Sequence, residues 1–202
     1  MNDYIAVDLE TTGFSPDTSE ILEIGAWKVK NGVVADKFCT LVKPMGYIPR
    51  DIQALTKITP QDVQDCEPIE TVLPSFFEWC EDLPFLGHNL SFDYDFLCVK
   101  GARLGLDFTL NYKRMGLDTL SLAKKYLKLK SNKLADVATY FNIDISGGDT
   151  GFHRASYDSY ITKLIYDRFE INSTYGAKIP KLLSTREVEY GKVVNNDTLS
   201  FS

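Results

Sequence analysis

The chain has 202 residues, of which 44% are hydrophobic, so it is long enough to bury the core of one domain. Its formal net charge of −6 argues against a protein that binds duplex nucleic acid through an overall positive charge. It does not argue against a protein that binds a few nucleotides through a metal ion. The four cysteines form no C-x-x-C pair, so neither a zinc site nor a disulfide framework is indicated. No apolar run approaches the roughly 20 residues that cross a bilayer, and the first residues form no basic, apolar leader. We therefore expect a cytoplasmic protein with no membrane partner.

The first predicted strand ends in two acids. Residues 4–13 read YIAVDLETTG, and their β-branched and aromatic residues favour a buried strand. Asp8 and Glu10 stand two positions apart, so they share one face of that strand, with Cα atoms roughly 6.5 to 7 Å apart. Two like charges on a partly buried face repel each other, and the pair therefore needs a compensating group.

The following segments predict an antiparallel meander and then alternating strands and helices. Asn31-Gly32 lies between two β-rich runs and predicts a type I′ hairpin. Residues 49–83 have helical spacing, with Thr59-Pro60 as an N-cap and first-turn pair. Further along we expect, in order, a strand at LPFLGHN, a helix at SFDYDFLCVKGARLG, a strand at RMGLDT, helices at LSLAKKYL and KLADVATYFNI, a glycine-rich loop at GGDTGFH, and a last helix at RASYDSYITKLIYDRFEI.

This order of elements predicts the fold class and the domain boundary. An antiparallel hairpin set followed by strand–helix alternation fits an α/β domain whose mixed sheet is covered by helices. We expect this domain to span residues 1–172. Residues 173–202 lose the periodicity and are expected to form a polar tail or a small extension, with weak strand character in VEYGKVV.

The last predicted helix carries an inward-facing acid. At about 100° per residue, Ile161, Leu164 and Ile165 form its apolar stripe, and Asp158 lies on the same stripe. An unpaired buried carboxylate is costly unless a cation or hydrogen-bond donors hold it.

The helix SFDYDFLCV repeats this pattern. Phe92, Phe96 and Leu97 mark its inner side, which places Asp93 inward and Asp95 in solvent.

Four acids thus converge on the interior or the carboxyl edge of one sheet: Asp8, Glu10, Asp93 and Asp158. No buried lysine or arginine is obvious among them in the sequence. Hard oxygen ligands without cysteine or clustered histidine indicate Mg²⁺ or Mn²⁺. A pair of such ions acting on a phosphodiester is the natural use of this ligand set.

Both histidines of the chain flank a predicted ligand. His153 precedes Asp158 by five residues, and His88 precedes Asp93 by five residues. An imidazole with a pKa near neutrality is suited to accept a proton from an attacking water.

Three motifs, VDLETTG, GHNLSFDYDFL and HRASYD, occur in this order and resemble those of the DEDDh (DnaQ-like) 3′–5′ exonucleases. The segments EILEIGAWKV, IPRDIQALTKIT and LDTLSLAKKYL are also similar to that family, so the resemblance covers about residues 3 to 170. It implies a ribonuclease H-like fold with a central mixed five-stranded sheet, three strands antiparallel and the rest parallel. The wording LETTG and HNLSFD is closer to the proofreading subunits or domains of bacterial DNA polymerase III than to RNA-trimming members.

The resemblance also implies roles for individual residues. Asp8, Glu10 and Asp158 would hold a first divalent ion, Mg²⁺ or Mn²⁺. Asp8 would bridge to a second ion, on which Asp93 would act directly or through water, and His153 would be the general base. The residues that would line the site of the terminal nucleotide are Thr11, Thr12, Leu55, His88 and Phe92.

Several polar residues have structural interpretations as well as functional ones. His88 is as well suited to a structural contact as to substrate contact, Asn89 or Ser91 is expected to be an N-cap, and Asp118-Thr119 is suited to cap a helix. The lysines of KKYLKLKSNK would either guide a phosphate backbone or line a solvated helix face.

We expect an enzyme that hydrolyses single-stranded DNA from its 3′ end and releases nucleoside 5′-monophosphates, in proofreading or repair. The alternatives are an exoribonuclease that trims RNA ends and a polymerase-docking module in which catalysis is secondary. A DNA polymerase subunit is the candidate protein partner.

Overall fold

The computed structural model describes residues 3–106, 116–145 and 153–174, and its strands form one mixed sheet. The strands are β1 (Tyr4–Thr11), β2 (Ile21–Lys30), β3 (Val33–Leu41), β4 (Phe85–Gly87) and β5 (Leu117–Asp118). Their spatial order is β3-β2-β1-β4-β5. The β1–β2 and β2–β3 pairs are antiparallel, whereas β1–β4 and β4–β5 are parallel. The predicted mixed five-stranded sheet is therefore confirmed.

The hairpin between β2 and β3 follows the turn that the sequence predicts. Asn31 has φ 52° and Gly32 has φ 78°, so both central residues have the positive φ that a type I′ turn requires. This turn brings β3 back against β2 at one edge of the sheet.

Seven helices surround the sheet in the described residues. The segment 49–83 contains three of them, because Pro60 and Pro68 each begin a new helix. Thr59 donates from its backbone N and its hydroxyl to Asp62 Oδ2 at 2.7 Å, as an N-terminal capping residue does, but the helix it begins has only four residues. The helices are α1 (Arg50–Thr56), α2 (Pro60–Val63), α3 (Ile69–Cys80), α4 (Leu90–Arg103), α5 (Thr119–Tyr126), α6 (Leu134–Tyr140) and α7 (Ala155–Thr174).

The two faces of β1 pack against different helices. Ile5, Val7 and Leu9 belong to a buried cluster that includes residues of α3 and α4. Tyr4 and Ala6 point to the other face, where they pack with Tyr166 of α7. Because side chains alternate along a strand, Asp8 and Glu10 follow Tyr4 and Ala6 onto the face that α7 covers.

Several predictions fall on residues outside the described ranges. These are residues 147–152 of the glycine-rich loop GGDTGFH, residues 114 and 115 of the predicted strand RMGLDT, and the segment 175–202 with its VEYGKVV run. The expected boundary at residue 172 lies within the last turn of α7, which ends at Thr174. In the described part of the chain, no helix combines the length and the apolar character needed to cross a membrane.

Candidate active site

β1 places two carboxylates under the first turn of α7. Glu10 is only 8% exposed and Asp8 is half-buried. In the antiparallel register, Asp8 lies opposite Gly25 and Glu10 lies opposite Glu23 on β2. The pair that the sequence predicted to share one face therefore lies at the carboxyl end of the central strand, beneath α7.

Asp93 reaches the same end of β1 from α4. Its side chain is 3% exposed, and its Oδ1 accepts a hydrogen bond from the backbone N of Leu9 at 2.9 Å. β4 ends at Gly87 and does not pair with β1 as far as Leu9, so Asp93 satisfies a backbone donor that the parallel strand leaves open. Asp95 is exposed, as the helical spacing predicts.

Asp158 lies in the first turn of α7 and is 7% exposed. Its Oδ2 accepts a hydrogen bond from the backbone N of His153 at 3.1 Å. Its Oδ1 is buried and has no hydrogen-bond partner among the described residues. Ligand atoms of Glu10, His153 and Asp158 all lie within 4.8 Å of one another. Three of the predicted site residues therefore converge on one point.

The carboxylates raise one another's pKa values. Burial, and then the charges of Asp93 and Asp158, raise the pKa of Asp8 well above its usual range. Burial is also the largest cause at Glu10 and Asp93, whose pKa values each rise to about 8, and at Asp158, whose pKa rises to about 7. Without a cation, several of these groups would hold protons at neutral pH.

This donor set fits a hard divalent cation. The buried and unpartnered Oδ1 of Asp158 is a ligand atom that nothing in the described residues satisfies. Carboxylate oxygens without thiolates suit Mg²⁺ or Mn²⁺ better than zinc. The described residues thus include a group able to hold a metal ion, formed by Glu10 and Asp158 with His153 beside them.

Sequence reasoning missed one buried acid and the cation that pairs with it. Glu23 is 2% exposed, and it accepts hydrogen bonds from Arg154 Nε at 2.9 Å and from an Arg154 guanidinium NH₂ group at 3.1 Å. Arg154 is half-buried and pairs with Glu23, so it brings a positive charge near the four predicted acids without forming an ion pair with any of them. The charge of Arg154 lowers the pKa of Glu10, but burial and the neighbouring carboxylates raise it by more. A usable signal was the acid within the apolar run EILEIGAW, two residues before Gly25 on the same strand face.

His153 stands at the open side of the carboxylates. Its side chain is exposed, and its backbone has φ 71°, in the left-handed region. Partial desolvation and the positive charges of Lys133 and Lys57 lower its pKa. The imidazole is therefore predominantly neutral, and able to accept a proton, at neutral pH.

Thr11, the last residue of β1, and Thr12, which follows it, form hydrogen bonds in the turn after the strand. The Thr11 hydroxyl donates to the Gly13 carbonyl at 2.7 Å, and the Thr12 hydroxyl accepts from the Glu20 backbone N at 2.8 Å. These bonds hold the chain between β1 and β2 in place beside the carboxylates.

Leu55 and Phe92, both predicted to contact the nucleotide, differ in exposure. Leu55 lies on α1 and is 44% exposed. Phe92 is half-buried and packs against Phe96, with ring centroids 5.0 Å apart. Leu55 thus offers an apolar surface to solvent, while Phe92 is partly engaged by the core.

His88 has protein partners for both ring nitrogens. Nδ1 lies 2.8 Å from the Thr119 hydroxyl and Nε2 lies 2.9 Å from the Asn132 carbonyl oxygen. Because a carbonyl only accepts, Nε2 carries the proton. The Thr119 hydroxyl that lies beside Nδ1 also donates to the Gly87 carbonyl at 3.1 Å. Burial lowers the pKa of His88, which favours the neutral ring. These contacts match the structural alternative that the sequence left open.

The remaining polar positions have structural partners or face solvent. Asp118 caps α5 by accepting from the Leu120 backbone N at 2.9 Å, which confirms the capping interpretation. Asn89 occupies the N-cap position of α4 in a left-handed conformation and makes no side-chain capping bond. The lysines of the basic stretch are all exposed: Lys124, Lys125, Lys128, Lys130 and Lys133.

Known proteins resemble this chain over most of its length. The exonuclease family model matches residues 5–166. The chain is 38% identical over 167 residues to the PolC-type DNA polymerase III of Thermotoga maritima, a match that covers 82% of the chain and 12% of the polymerase. It is 33% identical over 194 residues to the DNA polymerase III subunit epsilon of Aquifex aeolicus, covering 94% of the chain and 91% of the subunit.

A solved structure shares the fold. Exonuclease X in complex with 5′ overhanging duplex DNA superposes with a TM-score of 0.64 at 25% identity, covering 87% of this chain and 93% of the other. The chain spans only about 12% of the length of the PolC-type relative, but nearly the whole length of the epsilon subunit.

Proposed function

The chain belongs to the DEDDh (DnaQ-like) family of 3′–5′ exonucleases, and on that premise we propose that it removes nucleotides from the 3′ end of single-stranded DNA as 5′-monophosphates. The observation that carries this proposal is the convergence of Glu10, His153 and Asp158, whose ligand atoms lie within 4.8 Å of one another. We place Asp8 and Asp93 in the same site, a placement supported by the backbone bond that Asp93 accepts at the end of β1 and by the charges of Asp93, Asp158 and Glu10 that raise the pKa of Asp8.

In this proposal the acids have separate tasks. Asp8, Glu10 and Asp158 would hold a first Mg²⁺ or Mn²⁺, and Asp8 with Asp93, the latter directly or through water, would hold a second. Such ions, when bound, lower the pKa of a water and offset the charge that develops on the leaving 3′ oxygen. The bond that Asp93 accepts from Leu9 keeps this carboxylate aligned with the end of β1.

His153 is the proton acceptor in this proposal. Its imidazole is exposed next to Glu10 and Asp158, and Lys57 and Lys133 help to keep it neutral by lowering its pKa. A neutral imidazole takes a proton from the attacking water and passes it to solvent. Removal of such a general base lowers turnover by about 10²- to 10⁴-fold.

The terminal nucleotide is proposed to lie against the turn after β1 and the end of α1. Thr11 and Thr12 hold the backbone of this turn beside the carboxylates, and Leu55 presents an exposed apolar side chain. Phe92 contributes the edge of its half-buried ring.

The relatives favour a role beside a replicative polymerase. One is named as a PolC-type DNA polymerase III and another as a DNA polymerase III subunit epsilon. We propose that this chain, too, acts with a DNA polymerase and removes nucleotides from the growing strand.

The test uses two neighbouring acids of α4 as a matched pair. Asp93 is buried at the site and Asp95 is exposed on the same helix, so Asp93→Asn should lower kcat by at least about 100-fold while Asp95→Asn leaves it unchanged. The substrates are single-stranded DNA and RNA of one sequence, labelled at the 3′ or the 5′ end, with Mg²⁺, Mn²⁺ or EDTA.

Each outcome decides between the alternatives. Stepwise, metal-dependent shortening of DNA from its 3′ end supports the proposal. Faster shortening of the RNA would favour the exoribonuclease. No shortening with either metal would leave the docking module as the better account, and the protein would then be tested for polymerase binding.

A further inference from the structure

His153 occupies a backbone conformation that other residues must hold in place. Its φ of 71° lies in the left-handed region, which is unfavourable for a residue with a side chain. Such a conformation persists when the surrounding structure over-determines it. Within the described ranges, the imidazole of His153 is exposed and not held in the core, so its direction depends on the backbone that carries it.

The residue after His153 is anchored to the sheet. Arg154 Nε and a guanidinium NH₂ group donate to the two carboxylate oxygens of Glu23 at 2.9 and 3.1 Å. The backbone N of Ala155 donates to Glu23 Oε2 at 3.0 Å. A bidentate arginine–carboxylate pair restrains orientation as well as distance. Glu23 therefore holds two consecutive residues at the start of α7.

Contacts on the same face of β2 fix α7 against the strand. Gly25 lies so close to Ala155 that a Cβ atom would come within 2.1 Å of the Ala155 carbonyl carbon. Trp27 Nε1 donates to the Ser156 carbonyl at 2.8 Å. Glu23 also lies directly opposite Glu10 in the β1–β2 register. The residue that holds the start of α7 is therefore the neighbour of a residue of the candidate active site.

We propose that Glu23 and Arg154 form a positioning pair that fixes His153 over the carboxylates. The pair restrains the chain on one side of His153, and the bond from its backbone N to Asp158 Oδ2 restrains it on the other. Neither Glu23 nor Arg154 touches the reacting atoms in this proposal, which rests on the proposed role of His153 as general base.

The experiment compares variants of the full chain in the exonuclease assay. Arg154→Met removes the anchor but leaves a buried, unpaired carboxylate, which can unfold a protein. The double variant Glu23→Gln/Arg154→Met removes both charges, so it leaves no unpaired carboxylate. It therefore allows the rates to be measured even if the single variant does not fold. Arg103→Met is the control, because it removes the exposed ion pair that Arg103, at the end of α4, forms with Asp17.

Positioning through His153 predicts a specific pattern of rates. Both anchor variants should lower kcat by about 10- to 100-fold with KM unchanged, as expected when a reacting group is misplaced. In a His153→Ala background, the same anchor substitutions should lower kcat by less than about twofold, because the group that they position is gone. An anchor variant that keeps full kcat, or one that lowers kcat equally with and without His153, would overturn the proposal.

A second readout does not depend on activity. The chain has only two histidines, so the imidazole resonances are assigned by comparison with His153→Ala. At one fixed pH, the His153 signal should be narrow and distinct in the wild type and in Arg103→Met. It should broaden or move toward that of a free imidazole in the anchor variants. An unchanged His153 signal in the anchor variants would overturn the proposal, even if the wild type degraded no strand and the proposed function had failed.

Discussion

Glu10 and Glu23 lie opposite each other in the antiparallel β1–β2 register, and both are buried. Side chains at such positions are about 5 Å apart, so two unscreened charges would repel strongly. Arg154 and the Ala155 backbone N satisfy Glu23, while Glu10 points its carboxylate toward His153 and Asp158. At this pair of opposite positions, Glu23 therefore has a structural role, whereas the carboxylate of Glu10 faces the candidate active site.

The metal-free protein should lose stability as the pH rises. Glu10 and Asp93 have pKa values of about 8 in the folded protein, and Asp158 has one of about 7, against ordinary values of 4.5 for Glu and 3.8 for Asp. Between about pH 4.5 and 8, the folded protein therefore binds more protons than the unfolded protein. The free energy of unfolding then falls with rising pH, by about 1.4 kcal/mol for each unit of raised pKa in the limit of independent groups.

Thermal melts in EDTA from pH 5 to 8 would measure this effect, with the Tm expected to be lower at pH 8. Mg²⁺ or Mn²⁺ should restore the Tm more at pH 8 than at pH 5, because ligand carboxylates must lose their protons to bind a cation. A Tm in EDTA that rises from pH 5 to 8 would show that folding does not raise the pKa values of these carboxylates.

Asp8→Asn should separate stability from activity. It removes one charge from a group in which Asp93 and Asp158 raise the pKa of Asp8. We expect the Tm in EDTA at pH 8 to rise, and hydrolysis of labelled single-stranded DNA to fall by at least about 100-fold. Asp95→Asn, at an exposed position, should change neither measurement. Full activity in Asp8→Asn would contradict its assignment as a ligand.

Gly25→Ala should displace α7. The added Cβ would lie 2.1 to 2.3 Å from backbone atoms of Ala155 and Ser156, which cannot move as a flexible side chain can. We expect a loss of about 2 to 4 kcal/mol in the free energy of unfolding, measured by urea denaturation, together with lower activity. Gly46→Ala is the matched control, because nothing lies within 4 Å of its Cβ position. Equal stability of the two variants would show that α7 adjusts without strain.

His88→Ala should act mainly on stability. Both ring nitrogens bond to protein groups, Thr119 on α5 and the Asn132 carbonyl before α6. Loss of these bonds should lower the free energy of unfolding by about 1 to 3 kcal/mol, with kcat on single-stranded DNA nearly unchanged. A variant that keeps its stability but loses KM or kcat would instead place His88 in the nucleotide site.

Lys57 and Lys133 should strengthen binding of the strand. Both are exposed, and both act electrostatically on His153, so they provide positive charge beside an acidic site. Replacing either by Ala should raise KM and flatten the dependence of KM on salt. Lys30→Ala is the control, since Lys30 pairs with Glu81. An unchanged salt dependence in Lys57→Ala and Lys133→Ala would exclude contact with the phosphates.

Local sequence patterns were enough to predict the elements and the inward-facing acids. The positive φ values of Asn31 and Gly32 follow from the Asn-Gly turn, and the burial of Asp93 but not Asp95 follows from helical periodicity. The division of the segment 49–83 into three helices was not predicted, although Pro60 and Pro68 stand at the two later starts. These features depend on residues within a few positions of one another.

The amino-acid sequence by itself determined the order of strands and helices, the strand face shared by Asp8 and Glu10, and the family of the chain. Only the tertiary structure decided how distant polar groups are paired. Arg154 meets Glu23 across 131 positions, Asp93 meets the Leu9 backbone N across 84, and His88 meets the Asn132 carbonyl across 44. The physical reason is that periodicity tells which face a side chain occupies, whereas its partner depends on how helices and strands far apart in the chain pack together.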